Sequence, residues 1–173
     1  MGKRSDFPRV ERDFYRTPAE AVAPLLRFLP PATRFAEPCA GDGALVRHLQ
    51  AAGHVCVDAA DIYPMGPGIR QHDALQYQCD EAAVYISNTP WARPLLHQLI
   101  AHLSAHRPTW LLIDANWMFT RQAAHLLLTC SKVVTIGRVK WIPDSKMAGK
   151  DDAAWYLFDA RLDGPTEFHG RAA

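Results

Sequence analysis

Phe35-Ala36-Glu37-Pro38-Cys39-Ala40-Gly41-Asp42-Gly43 interleaves two acids with two glycines where an apolar run gives way to a helical pattern. Glycines there let backbone approach a ligand at the carboxyl end of a strand, where open α/β sheets bind their ligands. The segment is not G-x-G-x-x-G and has no P-loop lysine, which argues against a dinucleotide or a triphosphate. Glu37 and Asp42 would suit a ligand that carries positive charge. An ordinary strand-to-helix turn has the same composition, and the loop alone does not decide between the two.

A second acid-bearing segment, Ala59-Ala60-Asp61-Ile62-Tyr63, follows about twenty residues beyond the glycines, where Rossmann-like folds place an acid on ribose hydroxyls. Asp61 is the candidate for that role. In Gln71-His72-Asp73-Ala74-Leu75, Asp73 is a candidate acceptor for an adenine amino group and equally a helix N-cap.

The next apolar run ends in Ser87-Asn88-Thr89-Pro90-Trp91. Asn88-Thr89-Pro90-Trp91 resembles the asparagine-proline-proline-aromatic signature of class I S-adenosylmethionine-dependent amino-methyltransferases, with Thr89 in place of the usual proline. Taken with Glu37-Pro38-Cys39-Ala40-Gly41-Asp42-Gly43 and Phe14-Tyr15-Arg16-Thr17-Pro18, the chain is similar to small phage and prophage DNA N6-adenine methyltransferases from about Asp13 to Asp159.

The resemblance implies a Rossmann-like fold, S-adenosyl-L-methionine as cofactor and no metal. It implies Asn88, Thr89, Pro90 and Trp91 as the catalytic segment. An exocyclic amino nitrogen is a poor nucleophile because its lone pair is delocalised. Hydrogen bonds to the Asn88 oxygen and a backbone carbonyl would favour a pyramidal nitrogen, and fixed dipoles would stabilise the developing positive charge. Pro90 would stiffen the turn and Trp91 would stack on a flipped base. Tyr15, Thr17, Pro18, Glu37, Pro38, Ala40, Gly41, Asp42, Gly43, Asp61, Ile62, Asp73, Ala74 and Asn88 would hold the cofactor. The favoured acceptor is adenine N6 of DNA. RNA, cytosine N4, protein glutamine and a catalytically silent S-adenosylmethionine- or DNA-binding module are the alternatives. No separate target-recognition domain is visible, which leaves room for a second subunit.

Late in the chain, Lys140, Trp141, Lys146 and Lys150 interleave cations with an aromatic in an expected hairpin, a candidate nucleic-acid contact. A solvated loop is the competing reading. His102 and His106 have metal-like spacing on one helix face without a third ligand, so they read as ordinary helix histidines.

Positioning these residues requires an α/β fold. Strand-like runs are expected at 34–38, 54–61, 83–87, 110–115, 133–139 and 154–160, with a short extra strand at 69–72. Helical patterns at 43–52, 92–106 and 120–130 lie between them, giving a mostly parallel sheet with helices on both faces and a C-terminal antiparallel hairpin. An earlier helix is expected with Thr17 as N-cap, Pro18 at N1 and Glu20 at N3, stopped by Pro30 and Pro31. Trp110, Trp117 and Trp155 read as core.

A chain of 173 residues, 49% hydrophobic, fits one domain, with an arm over 1–16 and a loose tail over 164–173. A net charge of +1 excludes a global field for polyanions, so any nucleic-acid site must be local. Four scattered cysteines fit a reducing compartment, and the lack of a signal or spanning segment points to a cytoplasmic protein with no membrane partner.

Overall fold

The computed structural model describes residues 15–142, 149, 151–162 and 164–171. Alternation of apolar residues along the central strands explains how the sheet is covered. In β5 (Thr109–Asp114), Leu111 and Ile113 enter one core with Tyr85, Leu99 and Tyr156, while Trp110 and Leu112 enter another with Leu25, Leu49 and Trp155. Each strand residue changes face at the next position, so such a run must be covered on both sides.

The other elements are α1 (Ala19–Leu26), β1 (Arg34–Glu37), α2 (Ala44–Ala51), β2 (Val55–Asp61), β3 (Arg70–Gln71), β4 (Val84–Ser87), α3 (Arg93–His106), a single-turn α4 (Ala124–Leu127), β6 (Cys130–Arg138), β7 (Asp152–Phe158) and β8 (Glu167–His169). The sheet order is β3-β2-β1-β4-β5-β7-β6-β8. Strands β1 to β5 pair in parallel, and β7 runs antiparallel to both β5 and β6. Consequently the carboxyl ends of β1, β2, β4 and β5 share one edge. Order reverses between β1 and β4, the place where open α/β sheets form a crevice.

Helix α3 seats Leu96, Leu99, Ile100 and Leu103 on one face of the sheet. Truncating one such leucine to alanine would cost about 2–5 kcal/mol. On the other face, the buried Trp155 indole donates to Ala21 O at 2.8 Å, tying α1 to β7. Trp110, Trp117 and Trp155 are all buried, as expected.

Three expectations need correction. Thr17 does not cap α1: Pro18 is the N-cap, in extended conformation, and the helix begins at Ala19. The Thr17 hydroxyl accepts a hydrogen bond from Asn88 instead. The helical span at 120–130 is a 3-10 turn followed by α4. The tail is not loose throughout, since β8 pairs in parallel with β6. Thr166 donates to Cys130 O at 2.6 Å, Lys132 pairs with Glu167, and the His169 ring lies 4.7 Å from that of Phe28.

Candidate functional site

Beyond β1 the chain turns sharply, because Gly41 and Gly43 take φ of 54° and 78°, in the left-handed region that disfavours a Cβ. Gly43 N donates to Ala40 O at 2.7 Å, closing the turn against the start of α2. Asp61, at the end of the neighbouring strand, fixes the turn from the side. Its Oδ2 accepts from Gly41 N and its Oδ1 from Tyr63 N, each at 2.8 Å. Each oxygen keeps a further lone pair for a ligand hydroxyl.

The segment after β2 folds back over the same turn. Met65 N donates to Gly41 O at 2.9 Å, and a Cβ on Gly66 would lie 2.6 Å from Asp42 O. Only glycine fits at position 66. Ile62 is exposed, next to Asp61. His72 N donates to Asp61 O at 2.9 Å, which brings Asp73 to the same edge. Asp73 Oδ1 accepts from Leu75 N at 2.9 Å, so its capping role is realised, and Ala74 is buried behind it.

The two acids of the glycine loop differ from the expectation of free negative charge. Asp42 accepts from Ala44 N at 3.0 Å and pairs with Arg16 at 2.7 Å and Arg47 at 3.4 Å. Its charge is therefore balanced within the protein. Glu37 is only 2% exposed, next to the buried Pro38 and Ala40, and its Oε2 has no partner among the described residues. Burial, then the charges of Asp61 and Asp42, push its carboxyl well above the ordinary value. Burial and the same Asp61 raise the Cys39 thiol, which removes it as a nucleophile.

Beside this turn, the carboxyl end of β4 carries Asn88. The Asn88 side-chain nitrogen donates to Tyr15 O at 3.2 Å and to Thr17 Oγ1 at 3.1 Å. Arg16, between them in sequence, holds Asp42. Residues 15–18 thus strap the glycine loop to Asn88. Thr89 is buried with an unpartnered hydroxyl among the described residues, and Pro90 is half-buried. The half-buried Trp91 donates its indole N–H to Leu112 O at 3.0 Å. Its ring meets Trp141 edge to face at 5.7 Å, and Trp141 lies 6.3 Å from Tyr15.

The structure brings together two groups: Gly41, Gly43, Asp42, Asp61 and Asp73 around one turn, and Tyr15, Thr17, Asn88, Trp91 and Trp141 around another. Lys140 is exposed, while Lys146 and Lys150 lie outside the described residues. Sequence reasoning missed Arg16, Arg47 and Gly66. Arg47 was findable, one helical turn beyond Gly43 on α2, but nothing local in the sequence announces Arg16 or Gly66 as partners of Asp42. His102 Nε2 donates to Tyr77 O at 3.0 Å and His106 Nε2 accepts from Gln78 Nε2 at 3.2 Å, and among the described residues no cluster of potential metal ligands forms.

No protein-family model matches the chain, and no curated protein sequence matches it significantly. Solved structures do resemble it in fold. A protein from Pyrococcus horikoshii assigned as an RNA methyltransferase superposes with a TM-score of 0.61 at 16% identity, over 91% of this chain and 92% of that one. A dimethyladenosine transferase from Plasmodium falciparum gives 0.52 at 16% identity, over 83% of this chain and 62% of that one. A type I restriction-modification methyltransferase subunit from Streptococcus thermophilus gives 0.54 at 10% identity, over 86% and 45%. The chain has the Rossmann-like fold of these methyltransferases.

Proposed function

We propose that this chain is an S-adenosylmethionine-dependent methyltransferase acting on an exocyclic amino group in nucleic acid, with adenine N6 of DNA the first acceptor to test. One observation carries the reading. The glycine turn anchored by Asp61 and the amide of Asn88 lie on the same sheet edge, joined by one strap, so a methyl donor and an amino acceptor can meet there.

The residues present fit the cofactor. Asp61 has lone pairs for ribose hydroxyls, and Asp73 Oδ2 lies at the same edge for an adenine amino group. The unpartnered Oε2 of Glu37 is a buried acceptor that a cationic ammonium would satisfy. Bound there, S-adenosylmethionine supplies an electrophilic methyl on a positively charged sulfur.

The protein's part is orientation and fixed charge. Both donors of the Asn88 amide are engaged by Tyr15 O and Thr17 Oγ1, so its oxygen is the atom left to accept from an acceptor amino group. That dipole would stabilise the positive charge that develops on the acceptor nitrogen as it takes the methyl group. The nitrogen then loses a proton to solvent. No nucleophilic side chain is needed, and the raised thiol of Cys39 agrees with that. The fold neighbours named as an RNA methyltransferase, a dimethyladenosine transferase and a restriction-modification subunit support a nucleic-acid substrate. The last supports a multisubunit setting.

The experiment is methyl transfer from labelled S-adenosylmethionine to duplex DNA, single-stranded DNA, RNA and protein, followed by nucleoside and amino-acid analysis. Label in N6-methyladenine from DNA is the expected result. Label only in RNA, cytosine or glutamine would change the acceptor, and binding without transfer to any of them would make the chain a silent module.

A further inference from the structure

Segment 115–119 leaves β5 beside the Asn88 turn, since β4 and β5 are parallel neighbours with Ser87 opposite Leu111. It is a 3-10 turn held from several sides. Asp114 Oδ1 accepts from Asn116 N at 2.9 Å, and Tyr156 OH donates to Ala115 O at 2.8 Å. Trp117 is buried and donates its indole N–H to His97 Nε2 of α3 at 3.0 Å. Thr120 returns both its N–H and its hydroxyl to Trp117 O, at 3.0 and 2.8 Å.

In this fixed turn Phe119 is 79% exposed, the most exposed of the large hydrophobic side chains described. One exposed ring is ordinary on a protein surface, so its neighbours decide what this one can do. Its surroundings are basic. Between Asn88 and Leu128 the sequence has three arginines and four histidines against one acid, Asp114. His102, His106 and Arg107 lie toward the other end of α3, with Arg107 paired to Asp80. That leaves Arg93, Arg121, His97 and His125 near the Trp117 turn. His97 and His125 rings are 6.4 Å apart, and burial, then the charges of His125 and Arg93, hold His97 below its ordinary value. Arg93 and Arg121 are exposed and make no ion pair among the described residues.

We infer that Phe119, with Arg93 and Arg121, is the surface that carries nucleic acid past the acceptor pocket, the arginines on phosphates and the phenyl ring on an unstacked base. This rests on the nucleic-acid reading above. An exposed ring near cations that make no ion pair among the described residues fits a polyanion with π-faces better than an apolar partner, which would leave the arginines desolvated. The surface supplies the local positive field that the chain's net charge does not. Arg93 lies two residues beyond Trp91, which puts one end of this surface next to the Asn88 turn.

The test is fluorescence anisotropy of labelled single-stranded DNA, RNA of the same sequence and duplex DNA, over a range of salt. Variants are Phe119→Ala, Phe119→Trp and the double variant Arg93→Gln with Arg121→Gln. Phe119→Ala should weaken single-strand binding on the order of tenfold, with the salt dependence unchanged, and Phe119→Trp should retain affinity. The double arginine variant should reduce the salt slope by about 1.4 on single strands. Affinity for S-adenosylhomocysteine, by calorimetry, should match wild type in all three. Wild-type affinity and slope in both the alanine and the arginine variants would overturn the inference, as would a wild-type protein that binds none of the three nucleic acids. A changed oligomeric mass in Phe119→Ala without changed nucleic-acid affinity would make the surface a protein contact, which also overturns it. If wild type methylates nucleic acid while the variants keep its KM, this surface is wrong and the methyltransferase reading stands. If the variants lose binding but wild type transfers no methyl group, the surface stands and that reading fails.

Discussion

The side-chain nitrogen of Asn88 donates to Thr17 Oγ1 at 3.1 Å across 71 residues of sequence, so a residue of the N-terminal strap sets which end of the amide faces it. Without the hydroxyl, only Tyr15 O would hold that orientation. Thr17→Val should therefore lower kcat on nucleic acid by more than it weakens S-adenosylhomocysteine binding through the strap, and Thr17→Ser should restore both. Asn88→Ala should lower kcat by about a hundredfold or more, by analogy with loss of one preorganised catalytic hydrogen bond. Wild-type turnover in Asn88→Ala would remove the amide from the reaction.

Asp61 has two roles that one substitution separates. It accepts from Gly41 N and Tyr63 N, and it is the candidate ribose partner. Asp61→Ala leaves both N–H groups without this acceptor, so it should lower the stability of the ligand-free protein by about 1–3 kcal/mol as well as weaken cofactor binding. Asp61→Asn keeps one acceptor oxygen and should recover part of the stability. Chemical denaturation and calorimetry measure the two effects independently. Unchanged cofactor affinity in a destabilised Asp61→Ala would leave the residue a purely structural clamp.

Much of this arrangement was legible in the sequence because the relevant signals are local. Period-two alternation in 110–113, the glycines at 41 and 43 and the acid at the end of β2 each follow from a few neighbouring residues. The strap was half legible: Tyr15 and Thr17 drew attention, but Thr17-Pro18 reads as a helix start, and the competing bond to Asn88 is a tertiary contact with no local signature. Asp42 misled for the same reason, since a carboxylate in a glycine loop looks free until Arg16 and Arg47 fold onto it. The tail looked loose because three residues are too few for a visible strand period. Its partners are the backbone of β6 and the side chain of Lys132, more than thirty residues earlier in the chain.

Glu37 should give the fold a pH dependence of unusual sign. Its folded carboxyl is raised above the ordinary value near 4.5, chiefly by burial, so the folded state holds the proton more tightly than the unfolded state. Stability from this group is fully present below the ordinary value and is lost as pH rises toward the raised one. Glu37→Gln should remove that slope and raise Tm near neutral pH. If an ammonium of the cofactor then meets this carboxyl, binding should release up to about one proton. Calorimetry in buffers of different ionisation enthalpy measures the release, which Glu37→Gln should abolish. An identical Tm against pH curve for the variant would mean that Glu37 is already ionised in the folded protein.

Trp91 and Trp141 meet edge to face at 5.7 Å, and the Trp141 ring also lies 6.3 Å from that of Tyr15, so Trp141 supports the acceptor side of the site. Such a pair contributes about 0.5–1.5 kcal/mol beyond its buried area. Trp141→Ala should let the Trp91 ring reorient, though its N–H stays on Leu112 O, and should raise KM for nucleic acid several-fold with a smaller effect on kcat. Trp141→Phe keeps an aromatic edge and should behave near wild type. Gly149 offers an independent check, because its N–H donates to Val139 O and an added Cβ would lie 2.9 Å from that oxygen and 3.1 Å from Trp141 Cδ1. Gly149→Ala must displace Val139 or the indole, so it should reproduce the KM increase of Trp141→Ala while leaving cofactor affinity intact. Steady-state kinetics with cofactor saturating and nucleic acid varied makes the measurement. A Trp141→Ala protein with wild-type KM and kcat would show that Trp91 needs no second aromatic and that the hairpin is not part of the acceptor site.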